Sequence, residues 1–165
     1  MRRPLSTLLI LALALLVGAC GFQLRGAYVL PFTTLHVPLP ESSELHSLIK
    51  RHVEATSATK VLPNAAECEA KLLITLNIQA KNVLSLNAAG RVREYELVRQ
   101  FQFRVVDKQE NELIPPSQIM IRRDITFSDE QVLSKEAEEM LLWRDMQTDL
   151  VQQLLRRLAV AKKPA

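Results

Sequence analysis

Glycine is scarce: the 165-residue sequence has four, and none stands in the closely spaced pattern that lets backbone N–H groups cradle a phosphate. No nucleophile elbow occurs and no carboxylates gather at metal-ligand spacing, so the usual sequence marks of catalysis are missing. Histidine occurs three times, as His36, His46 and His52. The last two share a helical stretch but stand six apart, whereas a spacing of four brings two imidazoles onto one ion, so structural roles are expected for all three. Long apolar runs are missing too. Residues 8–17 reach about 15 Å as a helix, half of a hydrocarbon core roughly 30 Å thick, which is too short to span a membrane.

The flanks of that short run give it a meaning. Arg2 and Arg3 precede it and Gly18-Ala19-Cys20 follow it, so a positive end, an apolar centre and a small-residue cut site make residues 1–19 an export signal. Val17-Gly18-Ala19-Cys20 resembles the lipobox, in which an aliphatic residue and two small ones precede a cysteine that is acylated and becomes the first residue of the mature chain. The resemblance implies a covalent lipid on Cys20 and no other cofactor. Each buried methylene contributes about 0.8 kcal/mol and one chain anchors only marginally, so the three acyl chains that such lipoproteins carry make release negligible. Gly21 stands where, in Gram-negative lipoproteins, an aspartate marks retention in the inner membrane, which points to the outer membrane.

The signal holds two of the 21 basic side chains, so beyond it 19 face 18 acidic ones, a net charge of +1. A body so near neutrality argues against general nucleic-acid binding, which needs a dense phosphate-neutralising surface. With Cys20 acylated, Cys68 is a lone thiol, read here as a small core residue. Residues 20–165 are enough for one domain with a proper core.

Periodicity then sets out the elements. Residues 33–39 alternate as a strand, with Pro38 suggesting an edge or a terminus. Residues 41–58 are helical, since Leu45, Leu48, Ile49 and Val53 recur at three and four behind the candidate caps Ser42 and Ser43. Residues 70–87 are extended, with Leu72, Ile74, Leu76 and Ile78 expected on one face and Asn77 and Gln79 on the other. After the turn signal Asn87-Ala88-Ala89-Gly90, alternation resumes with Tyr95, Leu97, Phe101, Phe103 and Val105 inward. Residues 107–116, ending in Pro115-Pro116, read as a polar loop, and Ile119, Ile121, Ile125 and Phe127 define a fourth strand. From residue 129 to about 160 the chain is helical, with Ser128 or Asp129 as cap and Leu133, Ala137, Met140, Leu141, Leu150, Val151, Leu154, Leu155 and Leu158 in helical rows.

The expected fold is an α/β two-layer sandwich in the order β-α-β-β-β-α: a four-stranded mixed sheet with both helices on one face and a polar face left open. Basic residues gather in extended or flanking places: Arg91, Arg93 and Arg99 on one strand, Arg122 and Arg123 on the next, and Lys135 early in the last helix. A solvated sheet face accounts for them as well as a site for anionic head groups, where arginine forks and lysine charges pair with phosphates.

Cys20-Gly21-Phe22-Gln23-Leu24-Arg25-Gly26 resembles the N-terminus of the LptE family of lipopolysaccharide-assembly lipoproteins, and the order and length of the elements to Gln153-Leu154-Leu155-Arg156-Arg157-Leu158 agree. The resemblance covers essentially all of residues 20–165 and implies a non-enzymatic protein of the outer membrane. Members of the family plug the LptD β-barrel, assist its assembly and bind lipopolysaccharide on its way to the cell surface. Ser134-Lys135-Glu136 matches the family's lipopolysaccharide-binding lysine, so Lys135 is carried over. Where the family has a hairpin arginine, this sequence has Ala88 and Ala89, leaving Arg91 and Arg93 to supply the charge. Two other readings share the anchor: a generic lipid-tethered envelope adaptor, and a tethered periplasmic hydrolase that would need a histidine, a carboxylate and a hydroxyl brought together.

Overall fold

The computed structural model describes residues 29–128 and 132–164, so the export signal, Cys20, the segment after it and the candidate cap Asp129 lie outside the described residues. Five strands and two helices follow in order: β1 (Thr34–His36), α1 (Glu44–Thr56), β2 (Lys60–Leu62), β3 (Ala70–Leu86), β4 (Val92–Val106), β5 (Glu112–Thr126) and α2 (Val132–Leu158), with one turn of 3-10 helix at Ala65–Glu67. The sheet runs β2-β1-β3-β4-β5, parallel among the first three and antiparallel from β3 to β5. The two-layer architecture with a mixed sheet is the expected one, but the sheet has five strands and not four. Three residues cannot display an alternation, so β2 leaves no periodic mark; it is fixed by tertiary bonds, Lys60 N to Thr33 O at 2.9 Å and Thr59 Oγ1 to Phe32 O at 2.7 Å. β2 also makes β1 an interior strand, and Pro38 falls beyond its end and interrupts no ladder.

Helix α1 starts at Ser43, whose Oγ accepts from His46 N at 3.1 Å, and turns Leu45, His46, Ile49 and Val53 to the core. His46, and not His52, is therefore the histidine carried on the buried side. In α2 the buried residues begin only at Met146 and run to Leu158. The first half of that helix leaves Leu133, Met140 and Leu141 exposed, although their helical spacing aligns them with the apolar residues of the second half.

Two irregularities decide which side chains face which layer. Ile74 pairs with Phe103, but the next pair is Leu76 with Gln102, so Thr75 is an extra residue in β3. A one-residue bulge reverses the inside–outside phase of everything beyond it. Leu72 and Ile74 therefore enter the core, whereas Leu76 and Ile78 share the uncovered face with Gln102 and Gln100. The polar Asn77 and Gln79, expected on the wet face, turn to the helix side, and Lys81 follows in the same phase. Gln79 lines a hollow of about 230 Å³ with Glu44 and Trp143, and Lys81 reaches α2. The uncovered face is accordingly mixed, with Leu76, Ile78, Ala80, Val98 and Met120 among glutamines, instead of wholly polar.

The second irregularity is Pro115-Pro116, which lies inside β5 and not in a loop. Phe103 pairs with Ser117 and Val105 with Ile114, so both prolines oppose Arg104 at a bulge on the edge strand, where a missing N–H costs no ladder bond. The connecting turn is shorter than expected. Asp107 Oδ1 accepts from Gln109 N at 2.8 Å and Asn111 N at 2.9 Å, and Glu110 takes the left-handed conformation at φ 65°.

Candidate functional site

The tip of the β3–β4 hairpin is built by one side chain. Asn87 Oδ1 accepts from both Ala89 N and Arg91 N at 3.0 Å, and Gly90 completes the turn at φ 73°, a backbone conformation that other residues rarely adopt. Arg91 and Arg93 follow it and are exposed. Arg93 O accepts from Phe127 N at 2.8 Å, which ties the start of β4 to the end of β5. Next to that bond, the Phe127 and Tyr95 rings meet edge to face at 5.7 Å.

Lys135 arrives at the same end of the sheet from the other layer. Its Nζ donates to Thr126 Oγ1 at 3.1 Å and to Glu138 Oε2 at 2.8 Å. Thr126 immediately precedes Phe127, so Lys135 and the Arg93 backbone are anchored to neighbouring residues of one strand end. The tip beside them carries exposed Val83, Leu84 and Leu86. Charge and apolar surface thus meet at the distal end, the combination that an anionic amphiphile requires.

The other basic residues separate. Arg123 pairs with Asp149 of α2 at 2.9 Å, and Arg122 lies 3.8 Å from Glu96 on the uncovered face. Arg99, which the sequence grouped with Arg91 and Arg93, lies on the helix side at 5% exposure. Its Nη1 donates to Ile78 O at 2.9 Å, its Nε has no partner, and burial pushes its pKa below the ordinary value. Its odd number in β4, in phase with Leu97 and Phe101, was the signal for this burial.

Sequence reasoning missed Lys81 altogether. Its Nζ lies 2.6 Å from Glu139 Oε2 and 4.2 Å above the Tyr95 ring, while Glu139 Oε1 accepts from Trp143 Nε1 at 3.2 Å. Glu139 is therefore a link between layers. Cys68 is fully buried with Sγ donating to Asn64 O at 3.3 Å, and burial raises its pKa above 9.0. Among the described residues no three histidine, cysteine or acidic side chains are placed to share a metal, and no helix is long and apolar enough to cross a membrane.

The chain matches the family model described as LptE, Lipopolysaccharide-assembly, over residues 32–158. It is 27% identical over 162 residues to the LPS-assembly lipoprotein LptE of Pectobacterium atrosepticum, covering 96% of this chain and 86% of that one. It is 29% identical to the LPS-assembly lipoprotein LptE of Yersinia pestis, covering 96% and 77%. Among solved structures, lipoprotein B of Nitrosomonas europaea superposes with a TM-score of 0.72 at 40% identity, covering 84% of this chain and 90% of that one. Rare lipoprotein B of Shewanella oneidensis superposes at 0.64 with 26% identity, covering 76% and 93%.

Proposed function

The chain belongs to the LptE family of lipopolysaccharide-assembly proteins, and from that premise we propose that it is the lipid-anchored outer-membrane subunit of a lipopolysaccharide translocon. In this reading residues 1–19 are removed, Cys20 carries the acyl chains, and residues 20–165 form one non-enzymatic domain. The domain sits in the lumen of an LptD-like barrel, assists that barrel's assembly, and holds lipopolysaccharide during its delivery.

The observation that carries the reading is the family match across residues 32–158, which takes in every strand and both helices. The geometry supports it at the distal end, where Lys135 and the hairpin that carries Arg91 and Arg93 converge beside exposed apolar side chains. A held ammonium and exposed guanidinium groups suit lipid phosphates, and the adjoining Val83, Leu84 and Leu86 suit acyl chains. A sheet face that mixes glutamines with Ile78 and Met120 suits a barrel interior that is polar and partly wet.

Two measurements test the proposal. Detergent extraction and affinity capture of the full chain should recover a large β-barrel protein as the main partner; recovery alone favours the adaptor or the hydrolase reading. Replacing Lys135, Arg91 and Arg93 together by neutral residues should weaken lipopolysaccharide binding by the purified chain, and unchanged affinity rejects the site.

A further inference from the structure

Lys135 does not wait for a ligand with its charge unmet. Its Nζ is held between Glu138 Oε2 at 2.8 Å, one turn along α2, and Thr126 Oγ1 at 3.1 Å, at the end of β5. Only 18% of the lysine side chain is exposed, against 49% for Glu138. The lysine stem is thus largely covered and Thr126 is placed by its strand, while the exposed carboxylate can leave for water at little cost.

A phosphate that binds this ammonium needs an oxygen where the carboxylate oxygen now lies, because both are anionic acceptors drawn to one cation. We propose that Glu138 is an intramolecular competitor for the phosphate at Lys135, a specificity-determining residue whose carboxylate occupies the anion position until a lipid phosphate displaces it. The inference rests on the reading of Lys135 as a phosphate contact. Affinity then reflects the difference between two anions at one ammonium, so removing the internal one strengthens binding. Glu136 supplies the control: it carries the same charge in the same turn, but neighbouring residues on a helix project in different directions.

The test is titration of the full chain, purified in detergent, with purified lipopolysaccharide, for wild type, E138Q, E136Q, K135M and the K135M/E138Q double variant. E138Q should bind about two- to fivefold more tightly, the range that partly exposed ion pairs supply. E136Q should bind as wild type does, and the E138Q gain should vanish in the K135M background and with dephosphorylated lipopolysaccharide. An equal gain in E136Q, or one that survives K135M or dephosphorylation, would reduce the effect to general charge repulsion and overturn the proposal. So would E138Q without a gain while K135M weakens binding, and that pattern leaves Lys135 itself standing. Wild-type affinity in K135M instead overturns the reading on which the proposal rests.

Discussion

Lys81 of the hairpin and Glu139 of α2 meet with Nζ and Oε2 2.6 Å apart, and this pair joins the hairpin to α2 ahead of that helix's first buried residue. The ammonium also lies 4.2 Å above the Tyr95 ring and the carboxylate also accepts from Trp143, so four side chains depend on one contact. Replacing Lys81 with methionine should release the first half of α2. We expect faster amide exchange over residues 132–145 and a loss of about 1 kcal/mol in global stability. Unchanged exchange there would show that the contact holds nothing.

Arg99 gives a prediction of opposite sign. Its guanidinium is buried with one bond to a backbone carbonyl and an unpartnered Nε, so it bears a desolvation cost without a carboxylate to offset it. Arg99→Met should leave stability unchanged or raise it by up to about 2 kcal/mol in urea denaturation. A clear loss would mean that the charge is satisfied in solution.

Cys68 makes stability pH-dependent in the alkaline range. Burial raises the folded thiol pKa above its ordinary 9.0, so the neutral form is favoured by folding. That contribution is fully present below pH 9.0 and is lost as pH rises through the folded value. Cys68→Ala should flatten this part of the stability curve. The native thiol should also resist alkylation until the chain unfolds, and rapid labelling of folded protein would contradict the burial.

Gly90 at φ 73° has open space where a Cβ would stand, so any cost of substitution comes from the backbone alone. Gly90→Ala should destabilise by about 1–2 kcal/mol, read as a lowered denaturation midpoint. An unaffected midpoint would show that the tip relaxes at no cost.

Much of this architecture was legible because long alternating or helical runs report directly on burial. β4 from Tyr95 to Val105 and β5 from Ile119 to Ile125 keep the alternation, and the apolar residues expected inward face the core, with Arg99 buried among them. Thr75 defeats the same logic, since Leu72, Ile74, Leu76 and Ile78 alternate straight through it and only the pairing with β4 shows the extra residue. Likewise the prolines of β5 imitate a loop because proline disfavours interior ladders, yet an edge bulge accommodates both. At the distal end, Lys135 entered through family resemblance. Its contact with Thr126 could not be read from sequence, because no local spacing links residue 126 to residue 135, whereas Glu138 stands at the helical spacing of three.

Thr75 also makes the two ends of the domain answer differently to salt. Below the bulge, cohesion comes from Leu72, Phe103 and Val105 with the end of α2; above it Phe101, Leu97 and Ile125 are still buried, and the ion pairs of Lys81 with Glu139 and Arg123 with Asp149 add to them. Raising ionic strength screens the second set, and sulfate in particular tightens the first. Concentrated sulfate should therefore tighten the end below Thr75 more than the end above it, an asymmetry to which the inserted residue contributes by turning Lys81 inward.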